Sequence, residues 1–326
     1  MVIAVVGATG LVGNTIIQIL HEKGFLENNE LVLYASANRD GTQVSHFGKT
    51  YVVQELRDDT IRKDADFALF SAGSTVSLEW AKKFAKNGTF VIDNSNAFRR
   101  ETNVPLVIPE INASDITKKT KIVANPNCST IALALPLFAI SKMSKISKVI
   151  VSTYQAVSGA GNQGIKDFKN GTTQKLAHPI KDNLIPHIDI FLKNGFTLEE
   201  DKMRFETSKI LHNTNILVSA TCVRVPVTNC HSESVSVFLE TNTPISLVKK
   251  ALEGQKGVTV LDDTPNNLYP MPSLANGKDE ILVGRLRKDM SCPNLFHMFI
   301  SMDNIRKGAA LNAVQIMEYV MQNILK

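Results

Sequence analysis

Cys128 sits in the run Ala124-Asn125-Pro126-Asn127-Cys128-Ser129-Thr130, between a strand-like stretch and the apolar residues 131–140. The thiol therefore falls where a strand turns into a helix. A cysteine at a helix N-terminus feels the positive end of the dipole, which favours the nucleophilic thiolate. Free cysteine is also among the most buried residue types, so this run alone leaves both a nucleophile and a core residue open. Gln155 follows the strand-like residues 148–154 and precedes a glycine-rich turn, where its amide suits orienting a carbonyl. Glu206 and Lys209 are three apart and share a face if their segment is helical. Otherwise they form a weak surface ion pair. Residues 221–237 read as two strands around a short Thr228-Asn229 turn. If that turn is tight, Arg224 opposes Glu233, Pro226 opposes His231, and Arg224 stands diagonally beside the imidazole. Such an imidazole could accept a proton beside an anion site; the plainer reading of a lone strand histidine is a core or surface position.

A second group lies at the N-terminus. Gly7-Ala8-Thr9-Gly10-Leu11-Val12-Gly13 leaves a first strand and opens a first helix. Glycines there permit a tight turn and close approach to a pyrophosphate, which the free N–H groups of the helix can bind. The spacing is a variant of the commoner dinucleotide fingerprint, and its plainer reading is a structural turn. The second strand ends in Tyr34-Ala35-Ser36-Ala37-Asn38-Arg39, with no acid before Asp40. A ribose 2′-hydroxyl is usually met by Asp or Glu, whereas a hydroxyl and a guanidinium suit a 2′-phosphate. The expected cofactor is NADP, with Ser36 and Arg39 beside the phosphate.

The elements that must position these groups change character along the chain. Through about residue 150, continuous apolar strands alternate with helices, the pattern of a parallel sheet covered on both faces. Beyond it, strand-like and partly alternating segments dominate, which predicts a mixed, largely antiparallel sheet. The expected fold is α/β: a Rossmann-like dinucleotide-binding domain over 1–127 and an α+β catalytic and dimerisation domain over 128–304. The final helix, within 305–326, carries apolar residues at Ala310, Val314, Met317, Met321 and Ile324 and is expected to pack back onto the first domain.

Composition narrows the function. The net charge of +5 over 326 residues comes from scattered basic pairs without interleaved aromatics, which argues against a nucleic-acid footprint. No apolar run reaches the roughly 18 residues of a membrane span. The four cysteines form no C-x-x-C pair, so neither a zinc site nor a disulfide framework is expected, and a reducing cytoplasm is the natural compartment.

Taken together, the segments at 7–13, 93–99, 126–130, 154–161, 206–210, 222–227 with His231, 283–289 and 303–316 resemble the aspartate-β-semialdehyde dehydrogenase family, and the similarity runs over essentially the whole chain. The resemblance implies NADPH-dependent reduction of L-4-aspartyl phosphate, on the branch from aspartate to lysine, methionine and threonine, by a homodimer or homotetramer. It implies that Cys128 forms a thioester, His231 is the acid/base and Gln155 positions the acyl group. Arg224 would take the α-carboxylate and Glu206 the amine, while Arg99 and Lys209 would hold the phosphate with Asn127 nearby. Gly7, Thr9, Gly10, Leu11, Val12, Ser36, Ala37, Ser158 and Gly159 would touch the cofactor, and Asn304 the nicotinamide. Two stretches depart from the family: residues 24–30 lack its frequent Phe-Pro pair, and residues 36–41 alter its ribose-side pattern.

Rival readings fit less well. An N-acetylglutamyl-phosphate reductase shares the thioester logic, but its acetylated substrate leaves the carboxylate of Glu206 without an ammonium to meet. A short-chain reductase needs Tyr-x-x-x-Lys, and Tyr154 is followed by Ser158. A non-catalytic NADP-binding sensor would have no use for Cys128, His231, Gln155 and two phosphate-binding cations together.

Overall fold

The computed structural model describes residues 1–325, which form two compact units: residues 1–126 with 309–325, and residues 127–308. The first begins with β1 (Val2–Val6), α1 (Leu11–Glu22), β2 (Glu30–Ala35), β3 (Gln43–His46), β4 (Lys49–Glu55) and β5 (Phe67–Phe70). It continues through α2 (Ser74–Lys86), β6 (Phe90–Asp93), α3 (Pro109–Asn112) and β7 (Ile122–Ala124). The strands form one sheet in the order β3-β4-β2-β1-β5-β6-β7, parallel except for the β3–β4 hairpin. Ile3, Val5, Phe67, Leu69 and Ile92 are buried in it, as expected of strands covered on both faces. Strand order reverses direction at β1, so the turn after β1 opens at the point where this class of sheet binds ligands.

The second unit contains α4 (Cys128–Ser141), β8 (Ile146–Gln155), α5 (Gly161–Asn170), α6 (Leu198–Ile210), β9 (Leu217–Arg224) and β10 (His231–Leu239). After these come α7 (Ile245–Glu253), β11 (Val258–Val260), α8 (Pro272–Ala275), β12 (Ile281–Lys288) and β13 (Leu295–Met302). The sheet order is β11-β12-β13-β10-β8-β9, mixed as expected: the β8–β9 and β11–β12 pairs are parallel and the other three antiparallel. Along β8, Val149, Val151, Thr153 and Gln155 are buried while Ile150 stands outward, the period-two pattern of a sheet with one covered face. Helix α4 is apolar on every side and buried along most of its length, with Pro136 inside it.

The expected hairpin between β9 and β10 does not form, because β8 lies between them in the sheet. Residues 225–230 instead cross the end of β8, with Val157 and Ser158 donating to the carbonyls of Val227 and Thr228 and Cys230 at positive φ. Arg224 and Glu233 are therefore not cross-strand partners; Glu233 faces Thr153 and Ile300.

The last helix, α9 (Leu311–Asn323), belongs to the first unit, where it packs with α1, α3 and β6. Its buried face is wider than the predicted stripe. Leu311, Ala313, Ile316 and Val320 join Ala310, Val314 and Met317, whereas Met321 and Ile324 are only partly covered near the helix end. Among the described residues, no helix is long and apolar enough to cross a membrane.

Candidate active site

Cys128 is the first residue of α4 and is partly exposed, unlike the fully buried Cys222 and Cys230. Asn127 caps the helix, its Oδ1 accepting from the N–H groups of Ser129 (2.9 Å) and Thr130 (3.2 Å). The turn is fixed from the other side by Glu206, whose Oε2 accepts from the Asn127 N–H at 2.7 Å. Glu206 is 1% exposed on α6, so the pair with Lys209 is not a surface ion pair; Lys209 lies one turn further along the same helix. Helix α6 begins at a capping box in which Thr197 and Glu200 satisfy each other's backbone N–H groups. The second Glu200 oxygen accepts from the Cys222 N–H at 3.0 Å, docking the helix on β9.

The sheet brings three expected residues to one end of its covered face. Gln155 pairs with Arg224 across β8–β9, and Ser232 pairs with Tyr154, which sets His231 beside Gln155. All three are buried: Gln155 at 1%, Arg224 at 6% and His231 at 0% exposure. Arg224 Nη1 donates to the Ala156 carbonyl at 2.7 Å, and its charge is felt at both Cys128 and Glu199. Gly159 packs against this pair so closely that an added Cβ would lie 2.9 Å from Arg224 Nη1 and 3.0–3.1 Å from the His231 ring. Gly308 is pressed in the same way between Cys128 and Met302, the strand partner of His231.

His231 Nδ1 accepts from the Ala156 N–H at 3.1 Å, which places the proton of the neutral ring on Nε2. That Nε2–H is buried without a partner. Burial and the neighbouring Arg224 guanidinium hold the imidazole well below its ordinary pKa, so the ring is neutral at physiological pH. It offers a hydrogen-bond donor. To act as a base through Nε2, it must change tautomer and give up the Ala156 bond.

Ser158 Oγ lies 3.1 Å from Asn229 Oδ1 and receives the Asn304 amide at 3.0 Å, while Asn304 Oδ1 accepts from the Cys230 N–H at 2.9 Å. Both ends of the Asn304 carboxamide are thus engaged in tying the turns at 158 and 230 together. Two carboxylates here stand differently from the sequence reading, which passed over Glu199 and set Glu233 opposite Arg224. Glu199 touches Asn127 and Gln155, and Glu233 lies fully buried two residues beyond His231. The capping pattern of Thr197 and Glu200 is the local signal near Glu199, and it marks a helix start rather than a site.

In the first unit, Gly7 adopts φ 86°, and a Cβ there would meet the Ser71 carbonyl carbon and oxygen at 2.8 Å. A Cβ on Gly13 would fall 2.2 Å from the Gly7 oxygen. The turn through Thr9 therefore lies tight against the sheet, and Gly10, at the N-cap of α1, has no side chain to bond the N–H groups of the first helical turn. Such a cradle fits a pyrophosphate. Ser36, Ala37 and Arg39 are exposed in a short turn after β2, with Ser36 Oγ bonded to Asn38 Oδ1. Asp40, the first acid, is turned away: its Oδ1 accepts from the Glu55 N–H at 2.7 Å, and it lies near Arg57. Arg99 is 7% exposed and donates to the carbonyls of Asn125 (2.9 Å) and Asn94 (2.8 Å) at the ends of β7 and β6.

A dinucleotide-binding sheet joined in one chain to a mixed-sheet unit is the layout of a dinucleotide-dependent oxidoreductase. Residues 2–119 match the semialdehyde dehydrogenase NAD binding domain, and residues 136–307 match the semialdehyde dehydrogenase dimerisation domain. The chain is 49% identical to the aspartate-semialdehyde dehydrogenase of Aquifex aeolicus, covering 98% of each. It superposes with TM-score 0.94 on aspartate semialdehyde dehydrogenase II from Vibrio cholerae complexed with ASA, at 39% identity over 99% of this chain and 98% of that one. The enzyme from Candida albicans, solved with NADP, aligns with TM-score 0.80 at 26% identity over 99% of both chains. The protein belongs to the aspartate-semialdehyde dehydrogenase family, a family of NAD(P)-dependent phosphorylating oxidoreductases.

Proposed function

We propose that this enzyme reduces L-4-aspartyl phosphate to L-aspartate 4-semialdehyde with NADPH, through a thioester on Cys128, in the supply of lysine, methionine and threonine. The observation that carries the reading is the partly exposed thiol at a capped helix N-terminus, within the field of a buried arginine that packs with a neutral histidine. Attack by the sulfur forms a C–S bond at the acyl carbon and breaks the C–O bond to phosphate, which leaves with one proton. One hard displacement becomes two easier ones. His231 gives its Nε2 hydrogen, as a hydrogen bond, to the oxygen that becomes anionic at the acyl carbon. A donor of this kind is worth roughly a hundredfold or more in kcat.

A bound NADPH supplies the hydride that reduces the thioester. Collapse of the resulting hemithioacetal then returns the sulfur and frees the aldehyde. Arg224 is suited to the substrate α-carboxylate and Glu206 to its ammonium, whereas Arg99 and Lys209 complement the departing phosphate. Asn304 serves by holding Ser158 and the Cys230 turn. The turn from Gly7 to Val12 would hold the pyrophosphate. Ser36 and Arg39 would hold the 2′-phosphate, a preference supported by the engagement of Asp40 elsewhere. The match to a dimerisation domain supports a homodimer, or a homotetramer built from it, and the four free cysteines suit a reducing cytoplasm.

The test is to mix the enzyme with aspartate semialdehyde and NADP, withholding phosphate, and locate the acyl group by mass spectrometry. It should lie on Cys128, phosphate should restore turnover, and Cys128→Ala should abolish turnover while leaving NADP affinity close to unchanged. An acyl group on Cys222 or Cys292 would overturn the assignment.

A further inference from the structure

Glu199 lies in the first turn of α6, is 4% exposed, and receives hydrogen bonds from three side chains. One oxygen, Oε1, accepts from both Asn127 Nδ2 at 2.8 Å and Gln155 Nε2 at 3.2 Å. The other, Oε2, accepts from Lys202 Nζ at 3.2 Å, and Lys202 in turn donates to Asp189 Oδ2 at 2.6 Å. Burial alone would push the carboxyl up; Lys202 and the two amides more than offset it, so the group stays anionic.

An anionic carboxylate accepts hydrogen bonds and gives none. Both amides must therefore turn their NH2 groups toward Glu199. For Asn127 this leaves Oδ1 for the Ser129 and Thr130 N–H groups, the bonds that cap the helix carrying Cys128. For Gln155 the same Nε2 also donates to Thr153 Oγ1 at 3.3 Å, so both its hydrogens are spent within the protein. The carbonyl oxygen is the end of Gln155 left to meet a substrate, and it meets it as an acceptor. A reversed amide at either residue would set two acceptors face to face.

We propose that Glu199 is a positioning residue: as an anion it locks Asn127 and Gln155 in single amide orientations, fixing the Cys128 helix cap and the polar atom that Gln155 presents to the acyl group. The proposal rests on the thioester reading of Cys128. Glu199→Gln keeps the shape but can donate as readily as accept, so it no longer selects one orientation. The charged and titratable groups facing Glu199 are Lys202 on the same helix, Arg224 and Cys222 on β9 and, through Lys202, Asp189.

The experiment follows the burst of NADPH formed when wild type, Glu199→Gln, Glu199→Asp and Lys202→Met are mixed with aspartate semialdehyde and NADP without phosphate. For a residue that places reacting groups, the burst rate of Glu199→Gln should fall roughly a hundredfold. The KM for NADP should be unchanged, and Glu199→Asp should recover part of the rate. Lys202→Met adds a readout that a purely structural role would not move. Without its cation the buried carboxyl protonates at higher pH, so the acid limb of the burst rate should shift upward in pH. If the wild type gives no burst, the thioester reading itself falls. A wild-type burst with an equally fast Glu199→Gln, or an acid limb unmoved in Lys202→Met, leaves that reading standing and overturns the role of Glu199.

Discussion

Glu233 shows how a single residue can cost the fold stability. Its carboxyl is fully buried on β10 between Thr153 and Ile300, and neither oxygen has a partner. Burial holds it well above the usual carboxylate range, so it is protonated in the folded protein. In the unfolded chain it releases its proton near the ordinary value of about 4.3. The folded protein must therefore bind a proton that the unfolded chain gives up once pH exceeds that value. Its contribution is fully present below the unfolded pKa and is lost as pH rises toward the folded one. Glu233→Gln is neutral at both pH values and needs no proton, so it should raise stability at pH 7 by up to about 3–4 kcal/mol, about 1.4 kcal/mol for each pH unit above the unfolded value, and change little at pH 4. Urea unfolding at both pH values checks this, and equal effects at the two would refute it. Cys128, Gln155, Glu206, Arg224 and His231 stood out as candidates in the sequence because each lies in a short run whose residue types suggest chemistry. Sequence reading missed Glu199 and set Glu233 opposite the wrong residue, because their neighbours lie 44 to 80 residues away. The tautomer of His231 was equally hidden, since it depends on a backbone N–H 75 residues earlier.

At the scale of elements, strands and helices were legible wherever hydrophobic period and end signals agreed. The apolar run after Cys128 is α4, and Glu206 and Lys209 do share a helix. Connection geometry was not legible. The segment joining β9 and β10 has the composition of a hairpin, yet it spans β8, because the parallel β8–β9 pair forces the chain over the strand end. Arg224 and His231 still meet, on opposite sides of β8 and over the turn at Gly159. That turn has little room to move, since the guanidinium it abuts is held at 2.7 Å by the Ala156 carbonyl. Gly159→Ala would displace Arg224 and the His231 ring by a few tenths of an ångström. As a full ångström of misplacement can cost about a hundredfold, kcat/KM should fall roughly tenfold. Steady-state kinetics beside a thermal melt checks this; a full-rate variant would mean that the pair tolerates displacement.

At the scale of the whole molecule, the alternation of strands and helices foretold a parallel sheet, and the later strand-rich texture foretold a mixed one. What covers the outer face of that second sheet could not be read, because exposure is a property of the folded chain. Leu217 on β9 and Ile150 on β8 stand outward at 63% and 41% exposure. In the segment before α6, Leu184, Ile190, Phe191 and Phe196 are 46–62% exposed. Exposed apolar groups on a unit that matches a dimerisation domain are expected to be covered by a second copy of the chain. In a symmetric dimer the same patch occurs on both copies, so each substitution counts twice. Burying one leucine side chain is worth about 2 kcal/mol. Leu217→Lys should therefore weaken dimerisation by about 4 kcal/mol, roughly a thousandfold in Kd, before the repulsion of the new charges is counted. Combined with Phe191→Ser, it should move the sedimentation boundary from dimer toward monomer at micromolar protein. If the double variant sediments as wild type does, the dimer forms through another surface, and these side chains are exposed for a different reason.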